Sequence, residues 1–217
     1  MNIDTILFDL DGTLLDTAPD LAFALNQVLI EQQRKPLPFE QIRPWVSHGG
    51  KTMIRQGFNF SDNDPEIDII HKRFLAIYSS HIADKSVFFP NMEIVLTSLE
   101  NNGLKWGIVT NKPGWLTDPL LQKLKLTNRS ACNVSGDTLS QNKPHPAPLL
   151  YACKLVNTIP KNCIYIGDAK RDIEAGQRAG MQTLVAAYGY LATTDIPEQW
   201  GADGILQQPL DLLELLI

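Results

Sequence analysis

Short apolar runs recur along the chain, and each is followed by a stretch whose apolar positions return every three or four residues. The runs are IDTILF at 3–8, LKWGIV at 104–109, a weaker SACNV at 130–134, CIYI at 163–166 and QTLVA at 182–186. Runs of four to eight apolar residues suit buried strands, and the three-to-four spacing between them suits helices near 91–102, 115–125, 146–157 and 171–179. Alternation at this interval predicts βαβ units and a parallel sheet, an α/β fold with a Rossmann-like core. Gly103 and Gly180 stand just past two of these helices, where a left-handed cap closes a helix end.

One segment departs from the alternation. Between residues 15 and 85 the pattern shows helices but no convincing strand: Leu21, Leu25, Val28 and Leu29 recur at helical spacing, as do Ile67, Ile70, Phe74, Ile77 and Tyr78. Pro36, Pro38 and Pro44 punctuate the turns. The expected organisation is a core of residues 1–14 and 86–217 with an α-helical cap of residues 15–85 inserted after the first strand. A helical insertion at that point is where a lid would sit.

Composition narrows the class. The 217 residues are 44% hydrophobic and 20% charged, as in an ordinary globular protein, and the net charge of −5 argues against a nucleic-acid partner. No apolar run reaches the ~18 residues of a membrane span, and Asp4, Asp9 and Asp11 interrupt the N-terminal apolar stretch where a signal peptide would be basic and then apolar. Three cysteines without CxxC spacing suggest unpaired thiols in a reducing compartment. The expected setting is the cytoplasm, as a monomer or homodimer without a membrane partner.

The candidate chemistry gathers at the strand ends, where open parallel sheets bind ligands. The first strand ends in Asp9 and Asp11, the second in Thr110-Asn111-Lys112. Lys143-Pro144 follows the third, and the fourth ends Gly167-Asp168, with Asp172 one helical turn beyond. Several carboxylates beside a lysine and a hydroxyl/amide pair suit a hard divalent cation such as Mg²⁺ and the oxygens of a phosphate. In that setting Asp9 is a candidate nucleophile on phosphorus and Asp11 a candidate acid/base. Lys143 would offset negative charge, while Thr110 and Asn111 would orient the phosphoryl group. A lone Asp-x-Asp is usually a solvated turn. The specificity comes from four such signals in order at four strand ends.

These motifs resemble those of the haloacid dehalogenase superfamily: DLDGTLLDT (9–17) its first, VTNK (109–112) its second, KP (143–144) its third and GDAKRD (167–172) its fourth. The resemblance covers the whole chain. It implies a Rossmann-like core with a C1-type cap and a Mg²⁺-dependent phosphoric monoester hydrolase. Asp9 would be the nucleophile and Asp11 the acid/base. The metal would be held by Asp9, Asp168 and the backbone carbonyl of Asp11, with Asp172 in support. Within the superfamily the chain resembles the phosphoglycolate phosphatase group. More narrowly, RPWVSHGGKTMI (43–54), LKWGIVTNKP (104–113), RDIEAGQRAGMQT (171–183) and YGYL…WGAD (188–203) are similar to N-acetylmuramic acid 6-phosphate phosphatases. Ala169, after Asp168, and His145, in KPHPAP, depart from residues common in close relatives.

Substrate choice is expected in the cap. Arg43, Ser47, His48, Gly49, Gly50 and Lys51 form a polar stretch in which Arg43, His48 and Gly49 are candidate substrate contacts, with Arg43 or Lys51 offering a cation to a carboxylate. Gly49-Gly50 reads equally as a helix-connecting turn. The expected partner is a small phosphate ester, 2-phosphoglycolate or N-acetylmuramic acid 6-phosphate. The alternatives are a phosphosugar mutase on the same chemistry and a non-catalytic phosphate-binding regulatory module.

Overall fold

The computed structural model describes residues 3–216. Six strands form one parallel sheet: β1 (Thr5–Phe8), β4 (Lys105–Val109), β5 (Asn133–Val134), β6 (Cys163–Gly167), β7 (Gln182–Ala186) and β8 (Gly204–Leu206), in the order β5-β4-β1-β6-β7-β8. Two further strands, β2 (Leu15–Asp16) and β3 (Val87–Phe88), pair antiparallel as a short ribbon.

β1 lies inside the sheet, and all four of its residues are buried. Successive side chains alternate between faces. Ile6 and Phe8 join a large apolar cluster with Ile108, Ile164, Ile166 and Leu184. Leu7 joins a second cluster with Val109, Val134, Tyr165 and the three cysteines, all of them free and buried. Burial on both faces explains why these strands read as continuous apolar runs. Helices α5 (Met92–Asn101), α6 (Gly114–Lys123), α7 (Ala147–Val156) and α8 (Lys170–Ala179) follow β3, β4, β5 and β6 in the chain, and α9 (Asp211–Leu216) follows β8.

The helical segment contains α1 (Ala18–Glu31), α2 (Phe39–Ile42), a 3-10 turn (Arg43–His48), α3 (Gly50–Phe58) and α4 (Ile67–Ser80). Helix α1 packs on α3 and α4, and the large cluster runs without a break from the sheet into this segment through Leu14, Leu15, Ala18 and Phe89. Asp20, in the first turn of α1, is buried. It accepts from the N–H groups of Lys85 and Ser86 and from the Ser86 hydroxyl, pinning the returning chain against the outgoing one. Among the described residues no helix is long and apolar enough to cross a membrane.

Four elements differ from the sequence expectation. The run at 130–134 is a strand only at Asn133 and Val134, at the sheet edge, although Ala131 and Cys132 already hydrogen-bond the backbone of Trp106 and Ile108. Strand β8 and helix α9 extend the core beyond the fifth run. Leu15 and Asp16, in the stretch where no strand was expected, pair with Val87 and Phe88. Elements of two or three residues are too short to show a period.

Candidate active site

The Asp9 N–H continues the sheet ladder by donating to the Ile166 carbonyl at 2.8 Å. Its carboxylate is then fixed on one side: Oδ1 lies 2.9 Å from Lys143 Nζ and accepts the Leu10 N–H at 2.7 Å. Oδ2 hydrogen-bonds nothing among the described residues. Asp11 turns elsewhere. Its Oδ1 accepts from Thr17 Oγ1 at 2.5 Å and from Lys112 Nζ at 2.8 Å. The two aspartates therefore do not confront each other, because each has its own lysine. Gly12 between Asp11 and Thr13 has φ +84°, and a Cβ there would lie 2.0 Å from Asp168 Oδ2, so the turn and the close approach both require glycine.

Lys143 is sealed beneath the site. Its ammonium sits between Asp9 and Asp172 (2.8 Å), and it also donates to the Val109 carbonyl at 2.9 Å and the Tyr165 hydroxyl at 2.7 Å. The Asn111 amide braces the loop that carries it, donating to the Lys143 carbonyl and accepting the Lys143 N–H. The Thr110 hydroxyl is buried and accepts the Lys112 N–H.

Asp168 follows β6 and Asp172 lies in the first turn of α8, where its Oδ2 accepts the Ala169 N–H at 3.1 Å. A carboxylate suits that helix end. Asp168 Oδ2 accepts from the Ser47 hydroxyl at 2.6 Å and the Tyr190 N–H at 2.9 Å, whereas Oδ1 is buried without a partner among the described residues. Asp9, Asp168 and Asp172 each offer an oxygen, all within 4.8 Å of one another. An orphaned buried carboxylate oxygen inside a cluster of three such groups fits a hard divalent cation. The Asp11 side chain stands apart from this cluster, tied to Lys112.

Electrostatics follow from the burial. Desolvation pushes the Asp9 carboxyl up, against the pull of Lys143. Burial, and then the charges of Asp9 and Asp172, push Asp168 up to about 7. A carboxyl raised on folding binds protons more tightly in the folded chain, so it removes stability as pH climbs from 3.8 towards about 7. In EDTA, Asp168→Asn is therefore expected to melt above the wild type at pH 8, by on the order of 5 °C. The gap should shrink at pH 5. A gap that is equal at both pH values, or larger at pH 5, contradicts this electrostatic assignment.

A cavity of about 670 Å³ opens over these groups. Asp9, Asp11, Thr110 and Asn111 line it from the core, and His48 and Gly49 line it from the helical segment. Arg43 is not on this wall. Its guanidinium donates to the carbonyls of Gly189 (2.8 Å) and Tyr188 (3.2 Å) and lies 4.9 Å over the Tyr190 ring. Several contacts were not foreseen. Ser47 reaches Asp168, and Lys112 joins Asp11 to the Tyr78 hydroxyl of α4 at 2.7 Å. The Tyr190 hydroxyl accepts the N–H groups of Thr17 and Ala18 and donates to Asp16. Arg171 also lines the cavity.

The chemistry concentrated at this edge is that of buried carboxylates held against lysines, beneath a helical segment and open to a cavity. The chain belongs to the haloacid dehalogenase-like hydrolase family, among its phosphatases. The family pattern "Haloacid dehalogenase-like hydrolase" matches residues 6–186. The chain is 42% identical over 210 residues to a phosphoglycolate phosphatase of Xylella fastidiosa, covering 94% of this chain and 89% of that one. It is 38% identical over 216 residues to an N-acetylmuramic acid 6-phosphate phosphatase of Pseudomonas aeruginosa, covering 100% and 96%. A crystal structure from Haemophilus somnus, described as a predicted phosphoglycolate phosphatase, superposes with a TM-score of 0.86 at 27% identity, covering 100% of this chain and 99% of that one.

Proposed function

We propose that the protein hydrolyses a small acidic or sugar phosphate monoester through an aspartyl-phosphate intermediate on Asp9, with Mg²⁺ as cofactor. The observation that carries this is the state of Asp9: a buried carboxylate with one oxygen locked by Lys143 and Leu10, the other unengaged, on the wall of the cavity.

In the first step an Asp9 oxygen bonds to phosphorus as the ester P–O bond breaks, and Asp11 gives its proton to the departing alkoxide. In the second step Asp11 takes a proton from water, the water oxygen bonds to phosphorus, and the Asp9–phosphorus bond breaks. Inorganic phosphate leaves and Asp9 is restored. Lys112 holds the Asp11 carboxyl group, protonated before the first transfer and ionised before the second, in place for both. Lys143 offsets charge on Asp9, and Asn111 keeps Lys143 in position. Thr110, on the cavity wall, would meet a phosphoryl oxygen. Bound Mg²⁺, held by Asp9, Asp168 and the Asp11 carbonyl with Asp172 in support, would supply positive charge to the phosphoryl oxygens.

The relatives suggest 2-phosphoglycolate or N-acetylmuramic acid 6-phosphate as substrate, and a cavity of this volume has room for a hexose-sized group. We take residues 15–85 as the cap and His48 and Gly49 as its substrate contacts. We place the enzyme in the cytoplasm, as a monomer or homodimer acting on a dissolved ester. The net charge of −5 and the carboxylate-rich site support neither a nucleic acid nor a membrane as partner.

A panel of phosphate esters, assayed with Mg²⁺ and with EDTA, tests this function. Mg²⁺-dependent phosphate release from one of the two acidic esters is expected. No release across the panel would contradict it. Arg43, docked on the core, acts in seating the cap. Arg43→Ala should lower the melting temperature by roughly 2–6 °C, as for two lost charge-assisted bonds at the surface. It should weaken acidic and neutral esters alike. A loss confined to acidic esters would instead make Arg43 the carboxylate contact.

A further inference from the structure

Arg171 is the second residue of α8, immediately before Asp172, and is half-buried. It lines the large cavity and also a neighbouring one of about 210 Å³. Ser47 and His48 of the cap border both cavities with it. Arg171 therefore stands at the seam between core and cap, where the organic part of a bound ester would lie.

The lysines on the large cavity's wall are already paired: Lys112 with Asp11, and Lys51 with Asp68. Lys143 lies sealed below. Among the described residues Arg171 forms neither an ion pair nor a hydrogen bond. A guanidinium stays protonated at any working pH, so Arg171 presents a fixed positive charge there. A partly desolvated guanidinium without a partner, facing a ligand-sized space, is suited to a planar oxyanion, which it can hold by two parallel hydrogen bonds.

We propose that Arg171 binds a carboxylate carried by the substrate and so selects acidic phosphate esters over neutral ones. This rests on the phosphatase function proposed above and deepens it. Thr110, on the cavity wall beside Asp9, is the group proposed above for a phosphoryl oxygen, which leaves Arg171 for the second acidic group.

The test compares the wild type with Arg171→Gln and Arg171→Lys on two ester pairs. The pairs are 2-phosphoglycolate with 2-hydroxyethyl phosphate, and N-acetylmuramic acid 6-phosphate with N-acetylglucosamine 6-phosphate. In each pair only the first member carries a carboxylate. For the preferred acid, Arg171→Gln should raise KM roughly 10- to 100-fold, the loss expected for a charge-assisted hydrogen-bonded contact. Its neutral counterpart should keep kcat/KM within about twofold, and Arg171→Lys should recover part of the loss. An equal loss on acid and neutral esters would overturn the proposal by making Arg171 a phosphoryl contact or a structural residue. No loss on either would overturn it too. If the wild type hydrolyses none of the four, the phosphatase function falls by itself. Calorimetric binding of both acidic esters with Mg²⁺ then decides on Arg171: weakening by Arg171→Gln supports the contact, and unchanged or undetectable binding overturns it.

Discussion

Asparagine at position 9 is expected to give a folded protein with essentially no turnover, with kcat on the preferred ester falling roughly 10⁴- to 10⁶-fold in saturating Mg²⁺. The amide oxygen can still accept from Lys143 and from the Leu10 N–H, so the local geometry survives. It cannot form the covalent bond to phosphorus. Stability should move little, because two effects oppose each other. Removing a buried carboxylate relieves its repulsion with Asp168 and Asp172, but it also takes one counter-charge from Lys143. The melting temperature should stay within about 5 °C of the wild type. Turnover within tenfold of the wild type, measured on protein shown to be folded, would remove Asp9 from the role of nucleophile.

Lys143→Met is expected to abolish turnover and to destabilise the chain as well. The ammonium has four partners, and all of them are enclosed. Without it Asp9 and Asp172 remain as buried carboxylates with no cation between them, a loss of about 3–5 kcal/mol. For a chain of this size the melting temperature should fall by roughly 10 °C or more. Without Lys143 the Asp9 carboxyl, already raised by burial, loses the cation that pulls it down, so the variant should be relatively better off at pH 5 than at pH 8. Adding Asp172→Asn should restore part of the stability and none of the activity. A single variant as stable as the wild type at pH 8 would contradict the clamped arrangement, and a double variant with restored turnover would contradict the catalytic role of Lys143.

Much of the fold was legible because its central strands are buried on both faces. The runs that became β1, β4, β6 and β7 stand out against the polar turns between them, and the helices after them keep a clean period. Strand β8 escaped notice because Gly204, Ile205 and Leu206 are too few to show a pattern. The site was legible where one strand end carries adjacent chemical groups, as at Asp9, Thr110, Lys143 and Asp168. It was not legible where the site's arrangement depends on contacts between distant stretches. The Tyr190 hydroxyl caps the start of α1 from 173 residues away, and Ser47 reaches Asp168 across 121 residues. Nothing local in the sequence encodes either contact. Arg43 shows the same limit from the other side. The sequence marks it as a cation near the site, but whether it faces ligand or carbonyls is decided by how the 3-10 turn packs on residues 188–190. Asp9 and Asp11 are two carboxylates only two residues apart in the chain. The fold separates them by giving one to Lys143 and the other to Lys112.

The proposed chemistry stands or falls on a covalent phosphoryl group at Asp9. The direct measurement is a rapid acid quench of the wild-type enzyme with its preferred ester and Mg²⁺, followed by intact-protein and peptide mass spectrometry. A protein heavier by one phosphoryl group, with the addition mapped to the peptide containing Asp9 and absent from Asp9→Asn, is the predicted result. Turnover without any such adduct at the shortest quench times, or an adduct that persists in Asp9→Asn, would contradict it.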